Sequence, residues 1–237
     1  MLLKLCDFLG IAYLPVDERE SLERKFTFPQ RLVDKIPIWD ILGEYDAINK
    51  KVSIYGNAIE SFTEALYQQK VLDDIFQKYS KDFVTLIIHE LVRLHEHAHA
   101  LAHCGKLVFG GAENCEEWKE FLNAPKELKE PIAEFIVYAA IKENKFEDME
   151  KIFLEADKFT PAFYQRWKEL EKKIAEKWIE IGKRHIAPIL GVIRGEKIDS
   201  FDKLLSEVTY DKLQPMLVES ILYQFAEKRP PSSFFQI

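Results

Sequence analysis

The feature that most constrains the fold is a long predicted helix over residues 81–104. Ser80 is a favourable N-cap residue, Asp82 lies in the first turn, where the helix dipole favours negative charge, and Gly105 is a typical C-terminal stop. Its apolar residues recur at steps of three and four, the spacing of one helix face: Phe83, Ile87, Leu91, Leu94, Ala98 and Leu101. Such a face is expected to be buried.

The remaining sequence patterns are mainly helical, with a small amount of strand in the N-terminal third. Two short strands are predicted at residues 41–47 and 51–55, joined by a turn. Further helices are predicted at residues 58–79, 128–143, 146–156, 161–184, 201–208 and 213–226. We therefore expect a predominantly helical α+β protein. No repeat or low-complexity linker divides the chain, so residues 1–237 are expected to form a single domain.

Composition argues against several classes of function. The net charge is −7, and no stretch dominated by Lys and Arg supplies the basic face of a nucleic-acid binder. No segment approaches the roughly 18 to 20 apolar residues of a membrane helix, and the N-terminus lacks a signal-peptide pattern. Three cysteines, an odd number, argue against a disulfide framework. We expect a cytoplasmic protein with neither nucleic acid nor membrane as a partner.

The long helix also carries most of the histidines. Five of the six lie between His89 and His103, and residues 95–99 satisfy the HExxH pattern. Residues four apart lie on the same helix face, about 6 Å apart along the axis. His95 and His99 can therefore bind one Zn²⁺ at about 2.0–2.1 Å each. Glu96 is rotated by about 100°, so its carboxylate can reach a water at the metal without binding the metal itself.

The other histidines of this helix are predicted to lie outside the metal site. His103 is roughly 12 Å along the helix from His95, too far to share one ion. His97 points about 200° away from His95, and His89 about 240° away. Each is expected to be a structural histidine with a hydrogen-bond partner.

A third ligand is expected from the next helix. Glu134 is the only charged residue in the apolar segment 131–141. A buried, unpaired carboxylate is costly, and binding to a metal ion removes that cost. Glu130, one turn earlier, is the rival, but it is placed at the predicted helix start, where an acidic residue is ordinary. Glu134 is therefore the preferred third ligand, ahead of Glu130.

With these residues the chain resembles a gluzincin-type zinc metallopeptidase, and among that class the small intracellular minimal gluzincins. The class has HExxH on an active-site helix, a third-ligand Glu on a following helix, and a β-strand along the cleft. The resemblance covers about residues 41–141. The matching pieces are the strand at residues 51–55, then His95, Glu96 and His99, then Glu134.

One part of the sequence departs from the best-known pattern of the class. In that pattern Asn precedes the third-ligand Glu, and Asp follows the Glu by four residues. Around Glu134 these two positions are taken by Ala133 and Tyr138.

The resemblance implies a zincin-like core at about residues 41–141. A helical C-terminal portion at about residues 146–237 is predicted from the periodicity alone. The resemblance also implies one Zn²⁺ per chain and hydrolysis of peptide bonds by a metal-activated water, with Glu96 as general base and acid. The substrate would be a peptide or protein segment in extended conformation, paired with a strand edge. The donor to the developing oxyanion is open among four residues: Tyr138, Tyr164, Arg166 and His185.

Three alternatives belong to other classes. One is a structural zinc site built from His99, His103, Cys104 and Cys115, although no Cys-x2-Cys is present. Another is a ferritin-like carboxylate bundle, which Glu96-x2-His99 fits but which needs a second such motif. The third is a catalytically inactive, zincin-like metal-binding or regulatory protein, because a fold does not determine a function.

Overall fold

The structure of the protein is a computed structural model that describes residues 16–19, 42–104, 118–175, 186–195 and 197–215. In these parts of the chain most residues are helical, and a three-stranded sheet precedes the helices. The expectation of a predominantly helical α+β fold is confirmed.

The sheet consists of β1 (Val16–Arg19), β2 (Gly43–Asp46) and β3 (Lys51–Tyr55). β3 is the central strand, with β1 parallel on one side and β2 antiparallel on the other. β2 and β3 form the hairpin that the sequence predicts, whereas β1 was not predicted.

The hairpin turn is held by the side chain of Asp46. Its Oδ1 accepts hydrogen bonds from the backbone N–H groups of Ile48 and Asn49, at 2.9 and 3.0 Å. Lys50 has a φ of 51°, in the left-handed region. Asp and Asn favour such turns because their side chains bond to nearby backbone groups.

The helices follow the sheet in chain order. They are α1 (Gly56–Gln68), α2 (Asp73–Lys78), α3 (Lys81–Cys104), α4 (Lys126–Asn144), α5 (Glu147–Asp157), α6 (Trp167–Ala175), α7 (Ile186–Gly195) and α8 (Phe201–Glu207). A short 3₁₀ helix, Tyr164–Arg166, leads into α6. α3 has the predicted bounds, and Ser80 Oγ caps it by accepting a hydrogen bond from the Phe83 backbone N–H at 3.3 Å.

Two predicted helices differ from the observed ones. The single helix predicted at residues 58–79 is divided into α1 and α2, because Lys70, with a φ of 56°, interrupts it. The helix predicted at residues 161–184 begins as a 3₁₀ turn before α6, and residues 176–185 lie outside the described parts of the chain. α7 was not predicted as a helix. Of the helix predicted at residues 213–226, only residues 213–215 lie in the described parts of the chain.

α3 is the element around which the others pack. It contacts α1, α4, α5 and the two hairpin strands. From residue 94 to residue 104 every residue is buried, so this half of α3 is enclosed on all sides and not only on its apolar face. No helix in the described parts is both long enough and apolar enough to span a membrane.

Two leucines of α3 test this arrangement. Leu91 is fully buried, whereas Leu86 is 49% exposed. We expect Leu91→Ala to lower the free energy of unfolding by about 2–5 kcal/mol, because it leaves a cavity in the core. Leu86→Ala is the matched control and should change it by no more than about 0.5 kcal/mol. Chemical denaturation of both variants measures the difference, and equal losses would contradict this packing of α3.

Candidate metal centre

Three buried side chains converge where α3 crosses α4. Glu130 of α4 places its Oε2 atom 3.1 Å from His95 Nε2 and 3.0 Å from His99 Nε2. The two imidazole rings are nearly perpendicular, at 87°, with centroids 4.8 Å apart. Each of the three residues offers one ligand atom, and these atoms all lie within 4.8 Å of one another. The group could hold a metal ion.

The donor set is of a type that binds metal ions such as zinc in other proteins, and two of its three ligand-atom separations are known. Two imidazole nitrogens and one carboxylate oxygen are a common three-residue set for a zinc site with an open position. Ligand atoms at about 2.05 Å from an ion, at tetrahedral angles, would lie about 3.3 Å from one another. The oxygen–nitrogen separations of 3.0 and 3.1 Å are close to that spacing.

Glu134 lies on the other side of the His95 ring. Its Oε1 atom is 3.2 Å from His95 Nδ1, and its side chain is fully buried. No hydrogen bond to either carboxylate oxygen is made by the described residues. The structure thus brings Glu134 to the imidazole of His95 but not to the point where the two Nε2 atoms and Glu130 meet.

Glu130 does not lie at the start of its helix, where the sequence pattern predicted it. α4 begins at Lys126, so Glu130 lies in the second turn and is only 6% exposed. The burial argument therefore applied to Glu130 as well as to Glu134. A further signal was available: an acidic residue follows Glu130 by four positions, and that residue is Glu134.

The electrostatics of the group follow from burial and close contact. Burial alone would lower the pKa of His95, but the charges of Glu134 and Glu130 raise it well above its ordinary value. Burial would raise the pKa of Glu130, yet the two imidazoles hold it well below its usual range. The pKa of Glu134 is raised, chiefly by burial, and burial lowers the pKa of His99. Glu130 is therefore ionised and able to act as an anionic ligand.

Glu96 lies next to this group without being one of the three ligand donors. It is buried on α3, with 4% of its surface exposed, and its negative charge contributes to the raised pKa of His95.

The other histidines of α3 point elsewhere. His97 Nδ1 lies 2.7 Å from the Arg93 backbone carbonyl oxygen. His103 Nδ1 lies 3.0 Å from Tyr45 Oη and 3.8 Å from Cys104 Sγ. His89 is half-buried on the same helix.

These positions bear on the structural zinc alternative. That site would use His99 and His103 together, but His99 Nε2 is directed to Glu130 and His103 Nδ1 to Tyr45. Cys115, its remaining member, lies outside the described residues.

The four residues considered as oxyanion donors are dispersed. Tyr164 is buried, with its ring stacked on His95 at 6.2 Å between centroids. Tyr138 packs against Trp167, and burial raises its pKa to about 12. Arg166 forms ion pairs with exposed carboxylates on α6 and α8. His185 lies outside the described residues. Tyr164 alone among the three that are described adjoins the candidate centre.

A strand contact with Glu96 is made by β2, whereas β3 was the strand predicted to lie along the cleft. β3 is paired on both sides, by β1 and by β2. It therefore lacks a free edge for an extended peptide. β2 has α3 beside it, and Gly43 of β2 lies against Glu96.

No protein-family model matches the chain, and neither a curated protein sequence nor a solved structure is significantly similar to it.

Metal content tests which histidines form the centre. We expect about one zinc ion per chain, lost in His95→Ala and in His99→Ala, because each change removes one of the converging nitrogens. His103→Ala is the matched control on the same helix and should retain the ion. Elemental analysis after dialysis measures the stoichiometry. Zinc lost in His103→Ala but kept in His95→Ala would show that the ion is bound elsewhere.

Proposed function

We propose that the protein is a zinc-dependent peptidase with a zincin-like core. In this proposal His95, His99 and Glu130 hold the ion, and Glu96 is the general base and acid. The observation that carries the proposal is the approach of Glu130 Oε2 to the Nε2 atoms of both HExxH histidines, at 3.0 and 3.1 Å. Glu130 replaces Glu134 as the proposed third ligand.

The residues around the ligands support this assignment. Glu134 Oε1 lies 3.2 Å from His95 Nδ1. A carboxylate there would accept the Nδ1–H hydrogen, leaving the lone pair of the neutral ring on Nε2, toward Glu130 and His99. Such carboxylate–histidine pairs orient metal ligands and increase their basicity. Glu134 is thus proposed as a positioning residue for His95.

Glu96 provides the proton chemistry. Zinc, when bound, would polarise the scissile carbonyl and lower the pKa of the attacking water. The Glu96 carboxylate would take a proton from that water and pass it to the leaving amine. Its burial at 4% exposure places it in a low-dielectric setting, where such groups interact strongly with neighbouring charges.

The substrate would be a peptide or protein segment in extended conformation beside β2. Because Gly43 of β2 lies against Glu96, a segment along this strand would pass the proposed general base. Main-chain hydrogen bonds to a strand edge bind extended peptides with little dependence on sequence.

One observation favours a second candidate function. His95, Glu96, His99 and Glu130 are 2%, 4%, 8% and 6% exposed, so the described residues enclose the centre almost completely. A catalytic zinc site needs an open position that the substrate can reach, and burial of the centre would limit that access. The second candidate is therefore a zincin-like metal-binding protein that holds an ion without cleaving peptides.

Glu96→Gln distinguishes the two candidates. It keeps the shape of the side chain and removes the base, so we expect zinc to bind as in the parent. Hydrolysis of fluorescein-labelled casein should fall by at least about a hundredfold. Zinc content and hydrolysis are measured on the same preparations, with His103→Ala as the control for both. A parent that binds zinc and cleaves nothing would favour the second candidate, and retained hydrolysis in Glu96→Gln would contradict the mechanism.

Two glutamates one turn apart on α4 test the ligand assignment. Glu134→Gln should weaken zinc binding by about 10- to 100-fold, the usual cost of losing a partner that orients a ligand. Glu130→Gln should weaken it further, because a ligand is lost. Competition with a chromophoric chelator measures both affinities. If Glu134→Gln released the ion and Glu130→Gln kept it, Glu134 would be the ligand.

A further inference from the structure

The carboxylate of Glu96 lies directly against the backbone of β2, at Gly43. A Cβ atom at position 43 would lie 2.9 Å from both Glu96 Cγ and Glu96 Oε1. It would also lie 2.8 Å from Val92 Cγ1, one helical turn earlier on α3. Carbon and oxygen atoms that are not bonded do not approach so closely, so the space that a side chain would need is already filled.

Glycine is needed at position 43 because there is no space for a side chain. Gly56, at the start of α1, shows the contrast, because a Cβ atom there would meet nothing within 4 Å. Of these two glycines, the one at position 43 makes room for a group of the candidate site.

The surroundings leave few ways to relieve a clash at this position. Val92 is fully buried, and Gly43 is paired with Ile54 of β3, which is fully buried as well. Moving β2 away from α3 would therefore disturb the core. The group that can move most easily is the end of the Glu96 side chain. If it rotates away from β2, its carboxylate no longer lies where it does in the structure.

We infer that Gly43 is a positioning residue for Glu96: the absence of a side chain at this point of β2 sets where the carboxylate lies. The inference rests on the proposed function, in which Glu96 moves the proton. Reacting groups displaced by about 1 Å can cost about a hundredfold in rate. Gly43 would thus affect catalysis through Glu96, without contacting the ion.

Gly43→Ala tests this inference, with Gly56→Ala as the matched control. We expect Gly43→Ala to keep the zinc content of the parent, since the three proposed ligands are unchanged. Its kcat on labelled casein should fall roughly 10- to 100-fold with KM unchanged. Gly56→Ala should match the parent in all three measurements. A Gly43→Ala enzyme with the parent's kcat and zinc content would overturn the inference and leave the peptidase proposal intact.

The Glu96→Gln background separates positioning from general damage to the structure. With the base already removed, adding Gly43→Ala should lower the residual kcat little further, because both changes act on one group. A full additional loss would mean that Gly43 acts through the fold and not through Glu96, and would overturn the inference. If Gly43→Ala fails to fold, the same comparison is made with Val92→Ala added, which removes the 2.8 Å contact.

If the parent binds zinc and hydrolyses nothing, a stability measurement still tests whether Gly43 and Glu96 are in contact. In that case the proposed function fails, and with it the catalytic role of Gly43. We would still expect Gly43→Ala to lower the melting temperature less in a Glu96→Ala background than in the parent, because the Glu96 side chain that it meets has been removed. Equal shifts in the two backgrounds would show that Gly43 and Glu96 do not interact, and the inference would fail on its own terms.

Discussion

The crossing of α3 and α4 is the contact on which the candidate site depends. Along residues 94–104, α3 is buried on every side, so any polar side chain in that stretch must find its partners inside the protein. α4 supplies them to His95 from two successive turns, Glu130 at Nε2 and Glu134 at Nδ1. Carboxylates thus lie on both sides of the imidazole ring, 3.1 Å from Nε2 and 3.2 Å from Nδ1.

The sheet meets the same helix from another direction. β2 and β3 both contact α3, and at Gly43 the β2 backbone comes close enough to touch Glu96. The HExxH segment is therefore enclosed by α4 on its histidine side and by β2 on its glutamate side. The two kinds of residue in the motif have different neighbours because they lie about 100° apart around the helix axis.

Local signals predicted the parts of the fold that local interactions determine. The bounds of α3 follow from its cap, its apolar spacing and its stop residue, and the β2–β3 hairpin follows from alternation around a turn. Burial could not separate Glu130 from Glu134, because both are buried. The crossing of α3 and α4 is what places Glu130 beside both Nε2 atoms. β1 pairs with β3 across a long sequence separation, which no local pattern contains.

The proposed ligand set spans two helices, and this would have a consequence for folding. His99 and Glu130 are 31 positions apart, so an ion held between them would close a loop of that length, much as a covalent cross-link does. An ion that binds the folded chain and not the unfolded one stabilises the fold, by an amount that grows with its affinity and its free concentration. In the proposed zinc-bound form, the ion would therefore join α3 to α4. A variant that binds zinc more weakly would then also unfold more easily.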